Sequence, residues 1–78
     1  MTKFEAGKSY TARDYRFGNF YTLNVVARTA KTVTFENKLF KATRRILTVN
    51  GIDGTTFEKA ALFSKRDDCW LCATNCAN

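Results

Sequence analysis

The chain has 78 residues, a net charge of +6, 45% apolar residues, 14% aromatic residues, three cysteines, and neither His nor Pro. This is the composition of one small folded domain, which excludes a disordered chain. No apolar run approaches the ~20 residues needed to span a bilayer, and without His the commonest general base and metal ligand are missing.

The charge is unevenly placed. Residues 1–45 carry ten Lys and Arg against Glu5, Asp14 and Glu36, whereas residues 46–78 carry Lys59, Lys65 and Arg66 against Asp53, Glu58, Asp67 and Asp68. The front half is therefore attracted to polyanions at long range. The opening MTKFEAGKSY has no apolar leader segment, which predicts a cytoplasmic protein.

Phe4, Tyr10, Tyr15 and Phe17 supply apolar mass ahead of the main pattern. Gly7-Lys8 reads as a turn, Ser9–Arg13 as a short strand, and Phe17-Gly18-Asn19-Phe20 as a second turn. Arg13, Tyr15, Arg16, Phe17, Phe20 and Tyr21 interleave cations with aromatics, the residue mixture that stacks bases and grips phosphates. The competing assignment puts Phe17 and Phe20 in the core with the arginines as its solvated rim.

Tyr21 to Leu47 reads as a three-stranded β-meander. Leu23, Val25 and Ala27 alternate with Thr22, Asn24 and Arg28, and Val26 interrupts the alternation as though both faces were partly covered. Thr29, Ala30 and Lys31 form a hairpin loop. Val33 and Phe35 alternate with Thr32, Thr34 and Glu36, the strongest strand signal in the chain. Asn37-Lys38 is expected as a two-residue turn, with Asn tolerating positive φ. The third strand puts Phe40, Ala42 and Ile46 on one face and Lys41, Thr43 and Arg45 on the other. Arg44 falls on the apolar parity, at the rim of the core or at a bend.

Val49 to Gly54 is a turn-rich connection that lacks the spacing of a P-loop and the acidic run of a calcium loop. Thr55–Phe63 opens as a strand at Thr55-Thr56-Phe57 and continues either as a bend, the favoured reading, or as one helical turn over Glu58–Leu62. The last stretch holds Cys69, Cys72 and Cys76 with C-x2-C-x3-C spacing. As a helix capped by Asp67 or Asp68, it would align the three thiols on one stripe. Three arrangements stay open. The thiolates bind zinc, with Asp68, water or another chain as fourth ligand. A disulfide forms, leaving a thiol able to join two chains. Or the thiols are unbridged in a tail that packs through Trp70 and Leu71. The expected fold is mostly β: a small antiparallel sheet or SH3-like barrel over residues 1–66, with a short, partly helical cysteine tail, residues 67–78, packed on it.

The opening MTKFEAGKSY and the run ARTAKTVTF (Ala27–Phe35) resemble small, mostly uncharacterised proteins encoded by phages and mobile elements of Gram-positive gut bacteria. The resemblance covers roughly residues 1–47. It implies a compact antiparallel β fold, no catalytic residues, and binding to DNA, RNA polymerase or a defence complex such as a Cas nuclease in the host cell.

The seven carboxylates are scattered, and Ser9 and Ser64 lack a recognisable base, so no enzyme is expected. The leading expectation is a non-enzymatic protein that contacts nucleic acid or a host nucleoprotein, in an anti-CRISPR-type version a Cas nuclease. Arg28, Lys31, Lys38, Lys41 and Arg45 would supply the cations, from strand ends or the outward parity. The alternative is a protein-interaction module that pairs through a sheet edge and dimerises through zinc or disulfide at its cysteines.

Overall fold

Alternation of inward and outward side chains runs through the strands, clearest in β3, where Val33 and Phe35 are buried between Thr32, Thr34 and Glu36. A computed structural model describes residues 1–14, 18–63 and 69–77. The expectations at Tyr15, Arg16, Phe17, Asp67 and Asp68 lie outside these residues. Within them are seven strands: β1 (Ser9–Asp14), β2 (Asn19–Arg28), β3 (Thr32–Glu36), β4 (Lys41–Arg45), β5 (Leu47–Asn50), β6 (Thr56–Ala61) and β7 (Cys69–Cys76). They pair antiparallel in the order β4-β3-β2-β1-β7-β6-β5. The described residues contain no helix, and so none long and apolar enough to cross a membrane.

The two ends of this strand order, β4 and β5, are separated in the chain by Ile46 alone. The segment from Lys41 to Asn50 is in effect one strand bent at Ile46. Its first half pairs with β3 and its second half with β6. The Ile46 N–H donates to the Lys31 carbonyl at 2.7 Å and pins the bend. This shared strand curls the sheet into a half-barrel around Leu23, Val25, Val33, Phe35, Ala60, Leu62 and Leu71, all at most 1% exposed.

The expected meander is β2–β3–β4, and the strand at Ser9 is β1. Four local expectations are corrected. Val25 pairs with Phe35 but Ala27 with Thr34, so Val26 is an extra residue, a β-bulge with its side chain exposed. The bulge inverts parity beyond it: Ala27 turns out to solvent and Arg28 turns inward. The β3–β4 loop spans four residues, Asn37 to Phe40, because Asn37 forms an Asx turn. Its Oδ1 accepts the N–H groups of Leu39 and Phe40 at 2.8 and 3.0 Å, and among the described residues only glycines take positive φ. Val49 and Asn50, expected to open the turn-rich connection, instead end strand β5. The cysteine segment is a strand rather than a helix, paired with β1 on one side and β6 on the other. Alternation of Cys69, Leu71 and Ala73, all buried, explains that outcome. Arg44 is half-buried on the inward side of edge strand β4, at the rim of the core, two residues before the bend.

Each end of the half-barrel has an aromatic cap. At one end the Tyr21 and Phe40 rings each lie 5.9 Å from Phe63. At the other, the arm before β1 closes the opening. Thr2 makes a parallel bridge to Phe57 where β7 has diverged from β6, and Phe4 packs edge-on against Tyr10 at 5.1 Å. Glu58 organises this end. Its carboxylate accepts the Phe4 N–H at 2.9 Å and both terminal nitrogens of Arg28, at 2.5 and 3.0 Å. Arg28 also donates to the Phe4 carbonyl at 2.8 Å. Burial alone would push the Glu58 carboxyl up, but the hydrogen bonds from Arg28 and Phe4 outweigh it and hold it below its ordinary value.

Removing one partner of a buried ion pair leaves the other charge uncompensated, at a cost of about 3–5 kcal/mol. Glu58→Gln is therefore expected to lower the unfolding free energy in urea by about 3 kcal/mol. Arg28→Met combined with Glu58→Leu should recover most of that loss. A single-variant effect below ~0.5 kcal/mol would show that the pair does not anchor the arm. Because its folded pKa is depressed, Glu58 contributes fully above the ordinary carboxylate pKa of about 4.3 and loses its contribution as pH falls through the lower folded value. Stability measured against pH should show this acid-side decline in the parent chain and a flatter one in Glu58→Gln.

Candidate nucleic-acid interface

The curl divides the strand side chains into an inner set that fills the core and an outer set on the convex surface. The charges divide with them. Of the strand carboxylates, Asp14 and Glu58 are buried on the inner side and Glu36 alone faces outward, among the described residues. Arg13, Lys41, Arg45 and Lys59 all take the outward parity. Arg28 and Arg44 take the inward side as well, so the inward strand charges cancel and the outward strand positions keep an excess of cations.

Four outward residues form a row that crosses the strands. Phe20 on β2 is the register partner of Arg13 on β1, and Arg13 is the register partner of Trp70 on β7. Lys59 on β6 completes the row diagonally. The Arg13 guanidinium lies 5.5 Å from the Phe20 ring centre, and the Lys59 ammonium 4.0 Å from that of Trp70. Both are within cation–π range. Phe20 is 67% exposed, far more than a core aromatic. Its sequence assignment as a core residue is corrected: Arg13 opposite it requires outward parity, and the core position goes to Tyr21 instead. The row therefore alternates aromatic, cation, aromatic, cation.

The residues expected from sequence as phosphate contacts are spread more widely. Arg28 is turned inward by the Val26 bulge and engaged by Glu58. Lys31 is exposed in the β2–β3 loop beside the bend, and Arg45 stands opposite Thr32 next to it. Lys38 is exposed in the β3–β4 loop. Lys41 faces outward at the start of β4, in register with Glu36, which tempers its charge. These four exposed cations bracket the β3–β4 hairpin. Trp70 and Lys59, absent from that expectation, supply the other half of the aromatic row. The signal for Trp70 was the alternation of Cys69, Leu71 and Ala73 with Trp70 and Cys72.

The three cysteines do not share a stripe. Strand geometry buries Cys69 on the inner side, leaves Cys72 half-buried on the outer side beside Trp70, and exposes Cys76 opposite Tyr10. Among the described residues no three His, Cys, Asp or Glu side chains gather as metal ligands. Cys69 and Cys72 thus take opposite faces of a strand in place of the shared stripe that a helical tail would have built. Asp68, the fourth ligand of that arrangement, lies outside the described residues. Burial pushes the Cys72 thiol up, with Lys59 opposing.

Comparison with protein families, curated proteins and solved structures finds no match to this chain.

The burial order sets an expected order of thiol reactivity. Cys76 should react first with a thiol-specific disulfide reagent under native conditions, Cys72 more slowly, and Cys69 only on unfolding. Mass mapping of the modified cysteines against time checks this. Early labelling of Cys69 would contradict its position in the core.

Proposed function

We propose that this chain is a non-enzymatic nucleic-acid-binding protein that uses the convex face of its sheet. The observation that carries the reading is the row Phe20, Arg13, Trp70, Lys59. Aromatic faces stack on bases without regard to sequence, at about 1–3 kcal/mol per base, and neighbouring cations meet the phosphates. The outward strand positions support the same reading, because among the described residues they hold Arg13, Lys41, Arg45 and Lys59 against Glu36 alone. In the setting that the phage resemblance implies, the nucleic acid would belong to the bacterial host or to a nucleoprotein such as a Cas nuclease.

Pairing through a sheet edge is less well supported. The two edge strands are only five and four residues long, are bent apart at Ile46, and carry Lys41, Arg44 and Arg45 on the first of them. Short, bent, cationic edges discourage strand addition.

Fluorescence anisotropy with labelled DNA and RNA provides the test. Binding is expected to weaken steeply with salt, with a log–log slope of about −0.7 for each phosphate neutralised on a single strand. Arg13→Glu with Lys59→Glu should abolish it, and Trp70→Ala should weaken it by about tenfold, within the ~1–3 kcal/mol of one stacked base. Thermal melts would establish that the variants remain folded. A folded double variant with full affinity would sink the proposal, as would a parent chain that binds no nucleic acid at low salt.

A further inference from the structure

We infer that the ligand of this face is a single strand of nucleic acid lying across β7, β1 and β2 from Trp70 past Arg13 to Phe20, and then along β2 to Leu39, a track that holds about four nucleotides. This rests on the nucleic-acid reading above and adds the form, direction and length of the ligand.

Three surface hollows on the outer face join end to end. The first lies between Lys59, Trp70 and Arg13. The second lies between Arg13 and Phe20, with Asn75 beside them. The third, an open groove of about 900 Å³, runs from Phe20 over Thr22 and Asn24 to Lys38 and Leu39. Arg13 is common to the first two and Phe20 to the last two, so the track is continuous. Trp70, Arg13 and Phe20 are register partners on neighbouring strands, so this half of the track runs perpendicular to the strands, and beyond Phe20 it turns along β2 over Thr22 and Asn24.

Its dimensions follow from strand spacing. From β7 through β1 to β2 is two spacings, roughly 10 Å at ~4.8 Å each, and Phe20 to Asn24 along β2 adds four residues, roughly 13 Å at ~3.3 Å each. That length accommodates about four nucleotides of an unstacked strand, the low end of the range held by one small β-barrel. The Phe20 and Trp70 platforms are two spacings apart, roughly 10 Å. Rings so separated each need a base whose π-face is open, which an extended strand offers and a duplex, with its bases stacked on one another, does not. At the far end Leu39, 79% exposed, supplies an apolar lip and Lys38 a cation, with the Glu36 carboxylate also lining the groove. Between them Thr22 and Asn24 present hydroxyl and amide groups to base edges.

The cations now lying against the rings define how the track fills. Lys59 and Arg13 lie against the faces of Trp70 and Phe20. An arriving base takes the ring face, and the displaced ammonium or guanidinium is left next to that nucleotide's phosphate. The exchange gives an optical readout, because Trp70 is the only tryptophan in the chain.

Trp70 fluorescence should be titrated with oligothymidylates of increasing length, with oligouridylates of the same lengths, and with a duplex of matched length. The expected result is quenching whose affinity rises steeply to about four nucleotides and then only by the number of ways a longer strand can sit. The duplex should bind at least tenfold more weakly. Lys38→Ala with Leu39→Ser, both exposed, should weaken a strand of about four nucleotides by about tenfold while leaving a dinucleotide unaffected. The two oligomer series separate DNA from RNA as the source of the strand. Duplex binding equal to that of the single strand, an affinity that keeps climbing well past this length, or an unaltered Lys38/Leu39 variant would overturn the track while leaving nucleic-acid binding in place. Failure of every oligomer and the duplex to bind would remove both.

Discussion

The carboxylate of Glu58 is the constraint on which much of this half-barrel depends. A curled sheet of this size has an open end, and closing it requires chain that would otherwise have no reason to fold back. The arm before β1 is drawn in by the backbone bridge of Thr2 to β6, two charged side-chain anchors and one aromatic ring. The anchors are the Phe4 N–H on Glu58 and the Phe4 carbonyl on Arg28. The ring is that of Phe4 against Tyr10. Without its two charged partners satisfying each other, either Arg28 or Glu58 would be a costly inward charge. Together they turn polar backbone at the barrel mouth into a closed end.

That arrangement exists because of one extra residue. The Val26 bulge reverses the parity of β2, so Arg28 points inward where a regular strand would have pointed it out. The bulge also takes the Arg28 cation off the convex face. With Glu58 and Asp14 buried, the convex face carries four outward cations and the carboxylate of Glu36 alone, among the described strand residues. Core electrostatics and surface electrostatics are thus two consequences of how the charges are distributed between the faces.

The aromatic row has a corresponding origin in register. Phe20, Arg13 and Trp70 are 50 or more residues apart at their extremes, yet they are consecutive across the sheet because β7 inserts beside β1. The cysteines take the opposite course. Near one another in sequence, they are dispersed over the inner side, the outer side and an exposed strand end, since successive residues of a strand alternate faces. Closeness along the chain was a poor guide to closeness in space in both cases.

Local chemistry was enough to determine the β class, the meander, the Thr29–Lys31 loop, the inward placement of Val33 and Phe35, and the outward placement of Lys41 and Arg45. Each depends only on period-two alternation or on turn-forming residues, which act over a few positions. The cation–aromatic character around Arg13 and Phe20 was legible for the same reason. The tertiary structure decided the rest. A bulge cannot be read from one strand, because it is a mismatch between two; hence the inward turn of Arg28. The bend at Ile46 depends on two partners, β3 and β6, that a linear reading treats separately. Trp70 and Lys59 join Arg13 only when β7 lies between β1 and β6, a non-local pairing decided by which strands bury the most apolar surface together.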